Sequence, residues 1–502
     1  MGLASKLRSW SQELTPYFLY LLVVATLGPL LFGYHLAELN APQEVITCAA
    51  KSIKSKKSPS STLGGLPSCI PMNSTQLGLV SSIFTLGGLI GALAAGPLSA
   101  RYGRLRTMRV NTFLLALGPL AEALAPNIGV LSAGRFISGL GAGVSVVVVP
   151  IYISEIAPPK EKGFFGAFTQ IMTNMGIFTT QLLGYFLSHG QMWRIILAVA
   201  GMIGVLQFAG LAFSVESPKW QAAHGEPRQA NGNLRRIRGQ KAEIQEEVEG
   251  WRVQDFDERQ EEERTLLTNS DREPHADSNT SSRDKAPEPM GILAVLRDPI
   301  NNRAILAVVV VMMAQQLCGI NSIVMYGVSL LADLLASNSA LLNIFVSILN
   351  IAATTGFAPL ADVLGRKPCI LTSIAGMGAS SILLAIGIRS AIPVLSAIAV
   401  LLFVASFAFG LGPVPFILAS ELVGPEAVGA TQSWALAANW ISTFIVAQFF
   451  PMVNEKLGKG VVYFVFAAIA AVSFVFVSWY VPETKGKKDA DEVWGRSLRR
   501  ED

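Results

Sequence analysis

Histidine and cysteine are scarce in this chain, four of each among 502 residues, and only 15% of residues are charged. His35, His189, His224 and His275 are scattered, and no cluster of them with cysteines or acids has metal-ligand spacing. There is no nucleophile elbow and no glycine loop built to cradle phosphate. These absences argue against an enzyme, and no cofactor, metal or nucleic-acid partner is expected. The net charge of +4 says little about partners, because where the charge lies matters more than its sum.

What is abundant is apolar sequence. Hydrophobic residues make up 51% of the chain and gather in runs of about 20, the length that crosses roughly 30 Å of hydrocarbon. About twelve such runs can be read, six before Glu216 and six after Asn302, the first from Tyr17 to Leu39 and the last from Val461 to Tyr480. This excludes an ordinary soluble protein and predicts an all-α multi-pass membrane protein. The first run is too long for a cleavable signal peptide and lacks a small-residue cleavage site.

The chain is also built twice. Gly96 to Arg104 closes one apolar run with a Gly-Arg pair, and Ala358 to Lys367 closes another in the same way. Two six-helix pseudo-repeats with basic turns on one face are the arrangement of transporters, whose substrate sits between the repeats. The predicted units are residues 1–215 and 303–481 as the two bundles, 216–302 as a connecting loop and 482–502 as a tail.

Lys6, Arg8, Arg101, Arg104, Arg106 and Arg109 put the basic turns and both termini in the cytoplasm by the positive-inside rule. The first loop then lies outside. It contains Cys48, Cys69 and an Asn73-Ser74-Thr75 sequon, which suit an oxidising, glycosylating compartment, with either a disulfide or two free thiols. Lys51, Lys54, Lys56 and Lys57 are an exception to the charge rule in that loop. Cys318 and Cys369 read as small apolar helix residues. In the central loop, Leu234 to Trp251 has the composition of short helices lying under the bundle, and Asp255 to Pro289 that of disorder. Within the latter, Glu262 to Leu267 looks like an acidic dileucine signal, with Leu266 and Leu267 as the contact for sorting adaptors. It tilts the expected location from the plasma membrane toward the vacuole.

Further signatures fall where loops are expected: Pro150 to Pro158, Val215 to Trp220 and Val481 to Gly486, with Gln315-Gln316-Leu317-Cys318-Gly319-Ile320-Asn321 in the seventh span. Together they resemble the sugar porter family of the major facilitator superfamily, most of all its fungal hexose-type branch, and Leu31 to Gln43 is similar to the first helix of animal facilitative glucose transporters. The resemblance implies a 6+6 bundle, alternating access and a hexose or polyol bound near mid-membrane. Matched to the family, Gln170, Gln315, Gln316, Asn321, Asn350 and Asn439 are its sugar-contacting amides, and a buried carboxamide supplies both donor and acceptor to sugar hydroxyls. Gly319 and Gly410 to Pro415 are expected to break helices seven and ten. Two pocket positions depart from the glucose transporters: Phe416 stands in place of a Trp and Ala408 in place of a Glu.

Glu155 with Lys162, and Asp362 and Glu421 with Arg366 and Lys367, place opposite charges at cytoplasmic helix ends beside Arg104. They read as a latch on the outward-facing state, each pair contributing about 1 kcal/mol. Ala100, Leu105 and Val428 replace charged residues of the family pattern and are expected to weaken it.

Proton symporters of the family carry Asp after the Phe-Gly-Tyr of helix one, where this chain has His35. The missing acid favours facilitative uniport. Proton coupling through His35 and Glu38, with Arg135 as partner, is the alternative. A non-transporting sugar sensor would share the fold, but the tail after Pro482 is short for recruiting partners.

Overall fold

The computed structural model describes residues 15–49, 65–239, 244–245, 247–248, 291, 293–335, 338–357, 360–487 and 490–495. Among them all regular structure is helical. The first half contains α1 (Pro16–Ala37), α2 (Gln43–Ile46), α3 (Ser74–Tyr102), α4 (Arg104–Ala123), α5 (Ile128–Ile156), α6 (Lys162–Leu187) and α7 (Trp193–Ala212). Three short helices follow: α8 (Pro218–Ala223), α9 (Pro227–Arg238) and α10 (Ala294–Arg297). The second half contains α11 (Asn302–Leu317), α12 (Ile320–Leu335), α13 (Asn338–Phe357), α14 (Leu360–Leu364), α15 (Arg366–Arg389), α16 (Pro393–Phe409), α17 (Val414–Glu421), α18 (Val428–Leu457) and α19 (Val462–Tyr480), before a final turn, α20 (Ala490–Val493).

Ten spans are long and apolar enough to cross a membrane, α11 with α12 and α16 with α17 each counting as one. With α4 and α6, which are 20 and 26 residues long, there are twelve. These two are more polar for identifiable reasons. α4 carries three arginines and Glu122, and α6 carries Gln170, Asn174 and Gln181.

The two halves use one packing scheme. In the first, α3 packs on α5, α4 on α5 and α7, and α1 on α6; in the second, α13 packs on α16, α15 on α16 and α19, and α11 on α18. Glycines allow the closest approach: Gly139 and Gly143 of α5 face the carbonyl oxygens of Phe84 and Gly88, where a β-carbon would collide. The halves meet along α3 against α18 and α6 against α13.

The repeated turns are the same device twice. Gly103 and Gly365 adopt φ of 93° and 104°, a region that favours glycine. The turn opens α4 or α15, whose first N–H groups have no partner within the helix. Glu216 accepts from the N–H groups of Arg104 and Leu105 at 2.9 and 3.0 Å, and Glu483 from those of Arg366 and Lys367 at 2.9 and 3.1 Å. A carboxylate at a helix N-terminus is favoured by the helix dipole as well as by these bonds.

At the opposite end, Cys48 and Cys69 form a disulfide. Its loop is pinned by Trp193, whose indole N–H donates to Ser68 O at 2.9 Å, and by Arg194, which donates to Pro67 O at 2.8 Å. Asn73 is exposed and caps α3, its Oδ1 accepting from Gln76 N at 2.8 Å. Under the basic end, α9 buries Ala230, Leu234 and Ile237, and Arg238 donates to the carbonyls of Ile156 and Ala157 that close α5. This helix is thus docked on the first half, and it ends at Arg238; most of the expected stretch from there to Trp251 lies outside the described residues. Lys51 to Lys57 and the hexamer Glu262 to Leu267 lie outside the described residues.

Candidate functional site

Helices seven and ten break where glycines were expected to break them. α11 ends at Leu317 and α12 begins at Ile320, with Gly319 between them at φ 101°. α16 ends at Phe409 and α17 begins at Val414. The freed carbonyls of Leu411 and Gly412 need donors in a dry environment, and Gln315 supplies them. Its Nε2 donates to Leu411 O at 2.6 Å and Gly412 O at 2.9 Å. Its Oε1 accepts from Asn439 Nδ2 at 2.5 Å and Gln316 Nε2 at 3.1 Å. Gln316 Oε1 in turn accepts from Asn321 Nδ2 at 2.6 Å, and Asn321 approaches Thr443 Oγ1 at 3.4 Å. One interlocked amide cluster therefore joins α11, α12, α18 and the broken tenth span.

A second amide cluster crosses between the halves. Gln170 donates to Asn174 Oδ1 at 3.3 Å, Asn174 donates to Thr354 Oγ1 at 3.2 Å, and Asn350 donates to Asn174 Oδ1 at 3.4 Å. Gln170 and Asn174 are one helical turn apart on the face of α6 that meets α13. Asn174, Thr354 and Thr443 were missed by the sequence reading; asparagine within a span was the available signal for the first. Phe416 is 44% exposed on α17 and pairs with no other ring among the described residues. Ala408 is buried.

The third constellation is charged and completely buried. His35 Nδ1 lies 3.1 and 3.0 Å from the two carboxylate oxygens of Glu38. Arg135 pairs with Glu38 Oε1 and donates to His35 O at 2.9 Å. Its guanidinium lies over the Phe84 ring, 4.6 Å from the centroid. Glu122 of α4, also missed, joins them: His35, Glu38 and Glu122 offer ligand atoms within 4.8 Å of one another. These three could hold a cation by spacing, but Arg135 already places a positive charge on Glu38, which opposes a metal ion there. An acid inside a span was the signal that could have found Glu122.

The basic end revises the expected latch. Glu155 pairs with Arg104 at 2.8 Å, not with Lys162, whose side chain is exposed. The reason is the turn after α5, which carries Lys162 onto α6 while Glu155 faces the start of α4. In the second half Arg366 pairs with Glu421 at 2.8 Å, and Thr484 donates to Glu421 at 2.5 Å. Lys367 instead donates through Nζ to Ser478 O at 2.8 Å. The Asp362 side chain lies outside the described residues. Both ion pairs stay within one half.

Among the described residues, the side-chain bonds between the halves lie at mid-depth and toward the disulfide end. Asn40 donates to Val324 O at 2.8 Å and accepts from Val328 N at 2.9 Å. Ser329 donates to Gln43 at 3.2 Å, and Ser82 to Gln448 at 2.8 Å. Trp440 of α18 inserts into the first half against Phe84 and Phe32. The two halves are thus bonded to each other at the disulfide end.

Two pseudo-repeated bundles with amide clusters at their junction and on broken helices define a membrane transporter. Residues 21–493 match the family model described as sugar (and other) transporter, and the chain belongs to that family. It is 33% identical to a probable metabolite transport protein of Saccharomyces cerevisiae, over 94% of each chain. It is 32% identical to vacuolar protein sorting-associated protein 73 of the same yeast, over 95% of this chain and 96% of the relative. The facilitated glucose transporter member 3 of Rattus norvegicus is 27% identical, over 95% and 92%. Among solved structures, the xylose transporter XylE from E. coli in a partially occluded inward open conformation is similar in fold, with a TM-score of 0.73 at 23% identity over 94% of this chain and 100% of that one.

Proposed function

We propose that this chain carries a hexose or a related monosaccharide by alternating access, with the sugar held between the two amide clusters. The observation that carries this reading is the interlock of Gln315, Gln316, Asn321 and Asn439 on broken helices. Such amides can exchange bonds with one another for bonds with sugar hydroxyls, and a helix interrupted beside them can bend to close over the ligand. Relatives named as glucose transporters support the substrate class. The basic end faces the cytoplasm by the positive-inside rule, so the bonds at the disulfide end close the outer side. The yeast relative named for vacuolar protein sorting and the Glu262 to Leu267 hexamer support a vacuolar membrane, reached through sorting adaptors.

A facilitative uniporter is the mode favoured by the missing acid at position 35. Proton coupling is favoured by a separate observation, the full burial of His35, Glu38 and Arg135 in contact with one another. Taking these charges out of water is costly, and moving a proton is one task that gives the cluster a use.

Uptake of labelled glucose into liposomes holding the purified protein tests the main reading. Uptake that collapses in Gln316→Ala is the expected outcome. No uptake of glucose or of any other monosaccharide would overturn it.

A further inference from the structure

The proton-coupled reading uses His35, Glu38 and Arg135 and leaves one buried acid without a role. Glu122 is fully buried, one residue before the end of α4. Its Oε1 accepts from Ser138 Oγ at 2.5 Å, while its Oε2 is buried with no partner among the described residues. His35 Nε2 is in the same position. An unpartnered oxygen on a fully buried carboxylate is expensive to keep ionised.

The charges around it can be counted. Arg135 contributes one positive charge, against two negative charges if Glu38 and Glu122 are both ionised. Three other titratable or charged groups approach from neighbouring elements. Tyr34 of α1 donates its hydroxyl proton to Ile196 O at 2.7 Å, and Tyr326 of α12 donates to Ala447 O at 2.6 Å. Arg194 of α7 donates to the carbonyls of Ala123, Ala125 and Pro67 and stacks on Trp193, with no ion pair to Glu122. None of the three cancels the excess negative charge of the cluster. One added proton does.

We propose that Glu122 shares a single exchangeable proton with Glu38 and His35, making a two-carboxylate proton site on α1, α4 and α5. The proposal deepens the proton-coupled reading and rests on it for its role in transport. Loading forms one O–H or N–H bond and brings the cluster to neutrality; unloading breaks that bond and restores one excess negative charge. Arg135 feels this change directly, since it is paired with Glu38. Its guanidinium lies on Phe84, whose ring is 6.4 Å from that of Trp440, the neighbour of Asn439. The proton site therefore touches, through packed side chains, the helix that bears a proposed sugar amide.

Difference infrared spectra of the full-length protein, recorded without sugar across the neutral pH range, give a readout independent of transport. The expected result is a buried carboxylic acid band that is lost as pH rises, is absent in Glu122→Gln and is shifted in Glu38→Gln. No titrating band in the wild type, or a band unchanged in Glu122→Gln, would overturn the proposal. Should Glu122→Gln not fold, Ser138→Ala removes only the bond to Oε1 and is expected to move the titration; an unmoved titration counts against it. Stoichiometric zinc binding that is lost in Glu122→Gln would also overturn it, because the site would then be a metal centre.

Glucose uptake supplies the second arm. A one-unit inward proton gradient is expected to drive about tenfold accumulation in the wild type, one pH unit being worth a factor of ten for one coupled proton. Glu122→Gln is expected to equilibrate glucose without accumulating it. Accumulation retained in Glu122→Gln overturns the proposal. A titrating band in a protein that moves no sugar would uphold the site and remove the transport reading.

Discussion

Gln315 uses both ends of its carboxamide inside the protein, donating to two carbonyls of the broken tenth span and accepting from Gln316 and Asn439. It positions the other amides. Asn439 and Gln316 are the members that can turn toward a ligand without exposing backbone. Asn439→Ala deletes one neutral hydrogen bond, so apparent sugar affinity is expected to fall about fivefold, equivalent to about 1 kcal/mol. Gln315→Ala also strands the carbonyls of Leu411 and Gly412 and is expected to lose more than that. Equilibrium binding of radiolabelled sugar to both variants checks the order. These amides were legible one by one, because polar residues in apolar spans stand out. Asn174 and Glu122 stand out by the same rule and were passed over, since neither falls in a recognised motif.

Breaks in the helices belong to the next scale. Gly319 holds φ 101°, and a β-carbon there would meet the ring of Phe466 on α19. Gly319→Ala is therefore expected to cost about 1–3 kcal/mol through backbone strain and to slow sugar exchange by stiffening the seventh span. Thermal unfolding together with exchange rates in liposomes checks this, and an unchanged melting point would show the turn to be unstrained. The Gly103 and Gly365 turns were also legible, as a repeated Gly-Arg pair. Their capping by Glu216 and Glu483 was not, because each acid comes more than a hundred residues later in the chain. A separation of 51 residues likewise hid the pairing of Glu155 with Arg104: neighbours in sequence suggested Lys162, and helix packing chose otherwise.

For the whole molecule, the distribution of bonds describes a state. Asn40, Gln43, Ser82 and Trp440 tie the halves together from mid-depth to the disulfide end, whereas Arg104 with Glu155 and Arg366 with Glu421 each brace a single half. The two ion pairs thus form separate corners, one on each half, and neither joins the halves to each other. Ala100 is exposed at the basic end of α3, the helix that packs on α18. Ala100→Asp is expected to shift the equilibrium toward the form open at the disulfide end by about 1 kcal/mol, the scale of an exposed ion pair. Labelling of a single cysteine placed at each end of the bundle measures the shift, and equal labelling in variant and parent would refute it.

The sequence alone determined the class of fold, the number of spans and the positions of their breaks, because hydrophobic length and glycine placement act locally along the chain. It also named most of the amides, the buried His35, Glu38 and Arg135 and both arginines of the basic corners. Only the tertiary structure decided that Glu155 pairs with Arg104, that Glu122 comes beside His35 and Glu38, and at which end the two halves are bonded together. Those outcomes depend on contacts between helices distant in sequence, where a buried charge is settled by whichever partner the packing brings within reach.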